Sequence, residues 1–195
     1  GTLDVGRLKA IGSGSASLDP SLARAVKDRL GIDVVNFFGS SEGASLASSP
    51  LDIPDPGDRA VLFPRYGDRR FKWALSIADK VDYRLVNIES GEVIERTGVP
   101  GELRTRGPHI FNGYLNSPEL NEGAFDELGY YRTGDLFELA GDHCQYLRFV
   151  GRAKDIIVRG GMNVSAAELD AILAGHPDVA DAAVAGIPHE RLGEE

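Results

Sequence analysis

The sequence predicts a mixed fold, α/β plus antiparallel β: a partial α/β sheet, a barrel-like β subdomain and the start of a small C-terminal αβ domain. Three observations predict it. A strand–helix–strand pattern opens the chain, short alternating runs fill its middle, and helix-and-strand patterning returns after Gly151. Residues 7–12 read as a short apolar strand that ends in the Gly/Ser-rich stretch Gly12-Ser13-Gly14-Ser15-Ala16. A helix follows: Asp19 can cap it, Pro20 suits its first turn, Leu22, Ala25, Val26 and Leu30 recur at helical spacing, and Gly31 ends it. The apolar run 32–38 is short, β-branched and bounded by glycine, which predicts a buried strand and with it a parallel βαβ unit.

From residue 45 to about 67 the composition turns to Pro, Gly, Asp and Arg. Pro50, Pro54, Pro56 and Pro64 forbid a long helix, so a loop is expected. Short alternating runs at 81–88, 101–106, 135–139 and 144–150 are separated by the turn signals Glu89-Ser90-Gly91 and Gly141-Asp142, which favours an antiparallel sheet or barrel. After Gly151 a strand at 155–158, a glycine pair, a helix and a strand at 179–187 are expected. Ser165 and Glu168 have capping-box spacing, and Gly175 stands where the helix should stop. The expected division is 1–74, the end of a large α/β subdomain with a loop-rich insertion; 75–153, the β subdomain; and 154–195, an incomplete small domain after a hinge.

Composition narrows the function classes. The 195 residues carry 21 Lys+Arg against 30 Asp+Glu, a formal net charge of −9, which argues against nucleic acid as a partner. At 42% hydrophobic and 26% charged the chain has the composition of an ordinary globular protein. Its longest uncharged apolar runs are far shorter than the roughly 20 residues of a membrane-spanning helix. One cysteine, Cys144, allows no internal disulfide, and a cytoplasmic, reducing setting is expected. The chain opens on Gly1-Thr2-Leu3 and stops at Leu192-Gly193-Glu194-Glu195 just after a predicted strand and turn, so a fragment of a longer protein is expected.

Three stretches have residue types suited to chemistry. In Phe37-Phe38-Gly39-Ser40-Ser41-Glu42-Gly43, hydroxyls and a carboxylate emerge at the carboxyl end of a buried strand, where ligands bind in open parallel sheets. A hydroxyl can bond a phosphate oxygen, a carboxylate can hold Mg²⁺ and Phe38 can lie against a flat ring; the same residues also make an ordinary polar turn. Tyr130-Tyr131-Arg132-Thr133-Gly134-Asp135-Leu136 sets a carboxylate after a glycine turn and at the start of a strand. It could accept both hydroxyls of a ribose or simply cap local amides. Gly151-Arg152-Ala153-Lys154-Asp155 packs charge into a predicted domain junction, as a hinge or as a solvated linker. Gly160-Gly161 beside it allows close backbone approach to a ligand or a tight turn. His109, His143, His176 and His189 have neither metal-ligand nor triad spacing.

Taken in order, these stretches resemble the adenylate-forming, or AMP-binding, superfamily, and within it the acyl-CoA synthetases that act on fatty or aryl acids. Gly14-Ser15-Ala16-Ser17-Leu18 resembles the family's G-G/S/A-A-P-L, and Phe38-Gly39-Ser40-Ser41-Glu42 resembles Y-G-x-T-E. Gly101-Glu102-Leu103 with Gly107 and Asn112-Gly113-Tyr114 resembles G-E-L-x-x-x-G-x-x-x-x-x-G-Y. Tyr131-Arg132-Thr133-Gly134-Asp135-Leu136 matches Y-R/K-T-G-D-L without change. Gly151-Arg152-x-Lys154-Asp155-x-Ile157, followed by Gly160-Gly161-Met162-Asn163-Val164 and Glu168, resembles the family's last such motif.

The resemblance implies roles. Gly14, Ser15 and Ala16 line the adenine and acyl pocket with Phe37, Phe38 and Gly39; Ser41 meets the α-phosphate; Glu42 holds Mg²⁺. Asp135 is the ribose ligand, Arg152 a second ribose or phosphate contact, Lys154 the pivot of the small domain, and Gly160 and Gly161 line the pantetheine channel. The implied reaction uses ATP, Mg²⁺ and CoA on a fatty or aromatic carboxylic acid. A carrier-protein thiol as acceptor, or a non-catalytic nucleotide-binding module, are the alternatives. The sequence departs from the pattern at Phe38 for Tyr, Ser41 for Thr and Ser17 for Pro. The family's phosphate-gripping loop and its C-terminal catalytic Lys are not among these residues, so the chain by itself is expected to be inactive as a ligase.

Overall fold

A computed structural model describes residues 5–195; the opening Gly1-Thr2-Leu3 lies outside the described residues. Strand β1 (Ala10–Gly14), helix α1 (Pro20–Leu30) and strand β2 (Asp33–Gly39) form the expected βαβ unit, with β1 and β2 parallel from Ala10↔Asp33 to Gly14↔Phe37. Helix α1 begins and ends where its caps require. Asp19 accepts from the Ser21 amide at 2.6 Å, and Gly31, at φ 69°, closes the last turn through a 2.9 Å bond to the Lys27 carbonyl. Strand β1 lies later than the expected 7–12 and runs through the glycines. A Cβ on Gly12 would stand 3.2 Å from the Phe37 ring, and one on Gly14 3.2 Å from the Phe37 carbonyl, so close strand approach selects glycine at both places.

The expected loop at 45–67 is instead ordered structure. Strand β3 (Ser45–Ser48) adds antiparallel to β2, helix α2 (Pro56–Val61) follows, and strand β4 (Leu62–Pro64) leaves it. The prolines do limit the helix to six residues, but Pro56 sits in its first turn, where a missing amide costs nothing, and Asp55 caps it through the Gly57 and Asp58 amides at 2.8 Å. Arg59 locks α2 onto β2. It is fully buried and donates to the Val34 carbonyl, the Ile53 carbonyl and Asp33 Oδ1, each at 2.8 Å.

Strand β4 belongs to a second, antiparallel sheet with β5 (Asp82–Val86), β6 (Gly101–Arg106), β7 (Tyr131–Ala140) and β8 (Tyr146–Arg152), in the order β4-β8-β7-β6-β5. The expected barrel-like closure is corrected: β4 and β5 are the two edges of an open sheet. Helix α3 (Pro118–Ala124) lies between β6 and β7. The sheet's buried face carries Leu85, Leu103, Phe137, Leu139 and Leu147, and Leu46 of β3 packs into the same cluster. Each such side chain stabilises the fold by roughly 1.5–3 kcal/mol, so this shared core fixes the first sheet against the second.

The last sheet joins β9 (Ile156–Arg159), β10 (Met162–Ser165), β11 (Pro188–His189) and β12 (Gly193–Glu194), in the order β10-β9-β12-β11. The glycine pair makes the hairpin between β9 and β10: Gly160 and Gly161 have φ of 60° and 82°, the left-handed pair that a two-residue turn between right-twisted strands requires. Helix α4 (Ala166–Ala174) starts at the Ser165 cap, which accepts from the Glu168 amide at 3.3 Å, and Gly175 is its C-cap. The strand expected at 179–187 does not form a ladder. The Val184 amide bonds Asp170 Oδ1 at 2.6 Å and Ile187 exchanges two backbone bonds with Glu195, so this segment finds its partners elsewhere. Among the described residues no helix is long and apolar enough to cross a membrane.

Candidate nucleotide-binding site

A cavity of about 450 Å³ opens where the carboxyl end of β2 meets the middle of β7 and the second half of β8. The strand-end location follows from topology: the parallel pair β1–β2 points its carboxyl ends at the second sheet, and the loops leaving them are free to turn toward a ligand. Ser15 and Ala16 leave β1 at one wall, with Ser15 at φ 68°. Phe37, Phe38 and Gly39 come from the end of β2, and Asp135 and Arg152 from β7 and β8. Seven of the residues to which the resemblance gives roles thus share one cavity, and Gly14 lies next to its wall.

The two aromatic rings do different things. Phe37 is about half exposed, at 49%, and presents its ring to the open side. Phe38 turns inward and meets Phe137 edge-on at 4.9 Å and Phe149 at 5.8 Å, so its position is set by an aromatic cluster.

Asp135 and Arg152 are a cross-strand pair of β7 and β8, with Arg152 Nε donating to Asp135 Oδ1 at 2.9 Å. Asp135 is 2% exposed, whereas half of the Arg152 side chain reaches solvent. Burial pushes the Asp135 carboxyl above its ordinary value; Arg152 opposes this, while the charges of Glu42 and Asp155 add to it. The carboxylate is therefore a desolvated acceptor kept near one guanidinium, suited to vicinal hydroxyls. Its backbone is fixed as well. The Asp135 amide donates to Thr133 Oγ1 at 3.1 Å, the Thr133 hydroxyl donates to the Leu103 carbonyl at 2.7 Å, and the Gly134 amide reaches Glu102 Oε1 at 3.3 Å.

Ser41 and Glu42 stand beyond the cavity wall, in the turn from β2 to β3. Ser41 is exposed. Glu42 accepts from the Tyr114 hydroxyl at 2.9 Å. Burial works against its charge, but its own backbone amide, Tyr114, Ser40 and the Arg152 guanidinium outweigh burial and hold the carboxyl below its ordinary value. Among the described residues no three His, Cys, Asp or Glu side chains gather as a metal cage. A lone ionised carboxylate still fits Mg²⁺, because that ion keeps several waters and takes one or two carboxylates together with substrate phosphates.

Lys154 is exposed in the 3₁₀ turn Ala153–Asp155 that separates β8 from β9. Gly160 and Gly161 lie at the far end of the β9–β10 hairpin and do not line the cavity. Asn36, expected from the sequence to touch the acyl pocket, lines it too, as do residues not singled out from sequence: Ala60, Val61, Phe63, Arg148 and Phe149. No local signal marks Ala60, Val61 and Phe63, since α2 and β4 were read as loop, or Arg148 and Phe149, which lie in a run read only as a strand; Arg148 is held by Glu138 across the strand pair at 2.6 Å. Tyr114 was visible only as the last letter of a motif.

Interior strands of the antiparallel sheet thus supply an Asp–Arg pair to a cavity at the end of a parallel βαβ unit. The family model described as "AMP-binding enzyme" matches residues 2–115, and the chain belongs to the AMP-binding enzyme family. It is 36% identical over 191 residues to the medium-chain fatty-acid–CoA ligase of Escherichia coli (strain K12), covering 98% of this chain and 31% of that protein. It is 40% identical over 183 residues to triostin synthetase I of Streptomyces triostinicus, covering 93% of this chain and 31% of that one. The ATP-bound crystal structure of MatB from Rhodopseudomonas palustris superposes with a TM-score of 0.74 at 30% identity, over 96% of this chain and 34% of that one. The chain therefore spans about a third of the length of the relatives it matches.

Proposed function

We propose that this chain is part of an ATP-dependent acid–thiol ligase that activates a carboxylic acid as acyl-adenylate and transfers the acyl group to CoA. The observation that carries this reading is the buried Asp135 paired at 2.9 Å with half-exposed Arg152 on the wall of the cavity that Phe38 also lines. ATP as a substrate is supported by the ATP-bound relative, and CoA as acceptor by the CoA ligase relative.

In this mechanism Asp135 accepts both ribose hydroxyls, and Arg152 both keeps that carboxylate ionised and offers its remaining N–H groups to ribose or phosphate. Phe37 and Phe38 with Gly39, Ser15 and Ala16 enclose the flat base and the acyl group. Ser41 donates to the α-phosphate. The substrate carboxylate attacks the α-phosphorus and pyrophosphate leaves; the thiolate of the acceptor then attacks the acyl carbon and AMP leaves. Glu42 would hold Mg²⁺, which neutralises charge building on the phosphates. Lys154, at the exposed turn between the second and third sheets, is the pivot for the domain rearrangement between the two steps, which brings the Gly160-Gly161 hairpin to the pantetheine arm. The chain spans about a third of the relatives it matches, and by itself it has little or no ligase activity.

The division at 1–74, 75–153 and 154–195 belongs to this proposal. So does the fatty or aromatic character of the acid; Ala44 and Leu46, apolar residues near the turn, are buried in the protein core and do not line the cavity. A second reading keeps the adenylation step and replaces CoA by a carrier-protein thiol; the 40% identity to a synthetase favours testing it. The experiment is ATP–pyrophosphate exchange by the full-length protein across a panel of carboxylic acids, with CoA or a phosphopantetheinylated carrier added. Exchange that depends on one class of acid, followed by AMP release with CoA, is the expected result. AMP release with the carrier alone would move the acceptor, and ATP binding without exchange would leave a nucleotide-binding module.

A further inference from the structure

The turn that carries Glu42 is held from one side by a single segment of the chain, residues 109–114. The Phe111 amide donates to the Glu42 carbonyl at 2.9 Å, and the Tyr114 hydroxyl donates to Glu42 Oε1 at 2.9 Å. Gly43, at φ 106°, leaves no room between the two: a Cβ there would stand 2.0 Å from the His109 carbonyl oxygen. Backbone and side chain of Glu42 are thus pinned by the same segment.

Tyr114 is itself built to stay in place. Its amide donates to Asn121 Oδ1 at 2.6 Å, and Asn121 Nδ2 donates back to its carbonyl at 2.9 Å, which ties the residue to α3 by two bonds. Its ring meets Phe111 edge-on at 4.8 Å, and Phe111 in turn meets Tyr131 edge-on at 5.2 Å. Tyr131, 6% exposed, closes the far side of this aromatic cluster. A donor that cannot rotate away leaves the acceptor carboxylate one orientation.

We propose that Tyr114, held in place by Asn121 and Phe111, is a positioning residue that fixes the rotamer of Glu42 so that its carboxylate is presented to a divalent cation on the bound nucleotide. This rests on the reading of Glu42 given above. The arrangement removes one of the carboxylate's two oxygens from competition and leaves the group aimed by a neutral donor. A lysine in the place of Tyr114 would aim it equally well but would repel the cation.

The test is Mn²⁺ binding to the full-length protein in the presence of a non-hydrolysable ATP analogue, followed by electron paramagnetic resonance. Tyr114→Phe keeps the ring and its packing and removes one hydrogen bond to a charged group, so the Mn²⁺ affinity should fall roughly tenfold. In a Glu42→Gln background Tyr114→Phe should add nothing, since the two residues act as one unit. Unchanged Mn²⁺ affinity in Tyr114→Phe would overturn the proposal. An equal loss with and without Glu42 would overturn it too, because a purely structural tyrosine acts independently of that carboxylate. Failure of the adenylation reading is seen separately, as wild-type protein that binds Mn²⁺ and nucleotide through Glu42 but exchanges no pyrophosphate.

Discussion

Replacing Asp135 by asparagine separates what this carboxylate does for the ligand from what it does for the fold. If Asp135 accepts two ribose hydroxyls, the asparagine of the variant can accept through one neutral oxygen and loses the charge assistance on both bonds. At about 1.5 kcal/mol for each hydrogen bond to a charged group the loss is about 3 kcal/mol, or roughly 100-fold in nucleotide affinity. The fold should barely notice. Asp135 is 2% exposed and its carboxyl is raised above an ordinary 3.8, chiefly by burial, so ionising it costs the folded state more than the unfolded one. A carboxyl raised in this way favours the fold below its unfolded value, and that contribution is lost as pH rises through the folded value. The lost ion pair with Arg152 offsets this only weakly, because half of the Arg152 side chain already faces water. At neutral pH Asp135→Asn should therefore melt within a few degrees of the wild type. The assay is ATP titration of the full-length protein by intrinsic fluorescence, with thermal melts alongside. Wild-type affinity should fall with acidification from a higher pH than a free aspartate would give, and the variant should lack that limb. Unchanged ATP affinity would refute the ribose assignment, whereas equal collapse of affinity and stability would show that Asp135 is structural.

Two further outcomes follow from the geometry. In the full-length protein Lys154→Pro, which stiffens the exposed turn between β8 and β9, should stop thioester formation while pyrophosphate exchange survives; equal loss of both steps would remove the pivot role. Gly43→Ala should destabilise the fold by about 2 kcal/mol or more, because its φ of 106° is strained for alanine and the new Cβ would stand 2.0 Å from the His109 carbonyl oxygen. A melting temperature unchanged from the wild type would mean that the 109–114 segment does not grip the Glu42 turn.

Elements whose signals lie within a few residues of one another were legible in the sequence. Helix α1 has its Asp19 cap, its Pro20 and its left-handed Gly31 within one short stretch, and β6 came out at Gly101–Arg106 because its bounds are local. The order of the motifs was also legible, and with it the family. The region 45–67 was not, because its structure is specified by distant partners. Leu46 is apolar enough for a strand only once the second sheet's core receives it, and Arg59 reads as a surface charge until β2 supplies the Val34 carbonyl and Asp33. Residues 179–187 show the opposite case: an apolar run with strand composition remains without a ladder where its backbone groups bond Asp170 and Glu195.

The same division runs through the candidate site. Residue types are local, so a carboxylate after Thr133-Gly134 and another after Ser40-Ser41 could be named from the chain alone. Their meaning is a matter of distance, and distance comes from sheet register. Asp135 faces Arg152 because β7 and β8 pair in a register that sets these two opposite each other, 17 residues apart. Glu42 meets Tyr114 across 72 residues because the segment after β6 folds back onto the turn after β2. Hydrophobic pattern and capping chemistry act over one or two turns of chain and are written in the order of the residues. Burial, desolvation of a carboxylate and the choice of its donor arise only when separate segments are packed together, and these set how Asp135 and Glu42 can act.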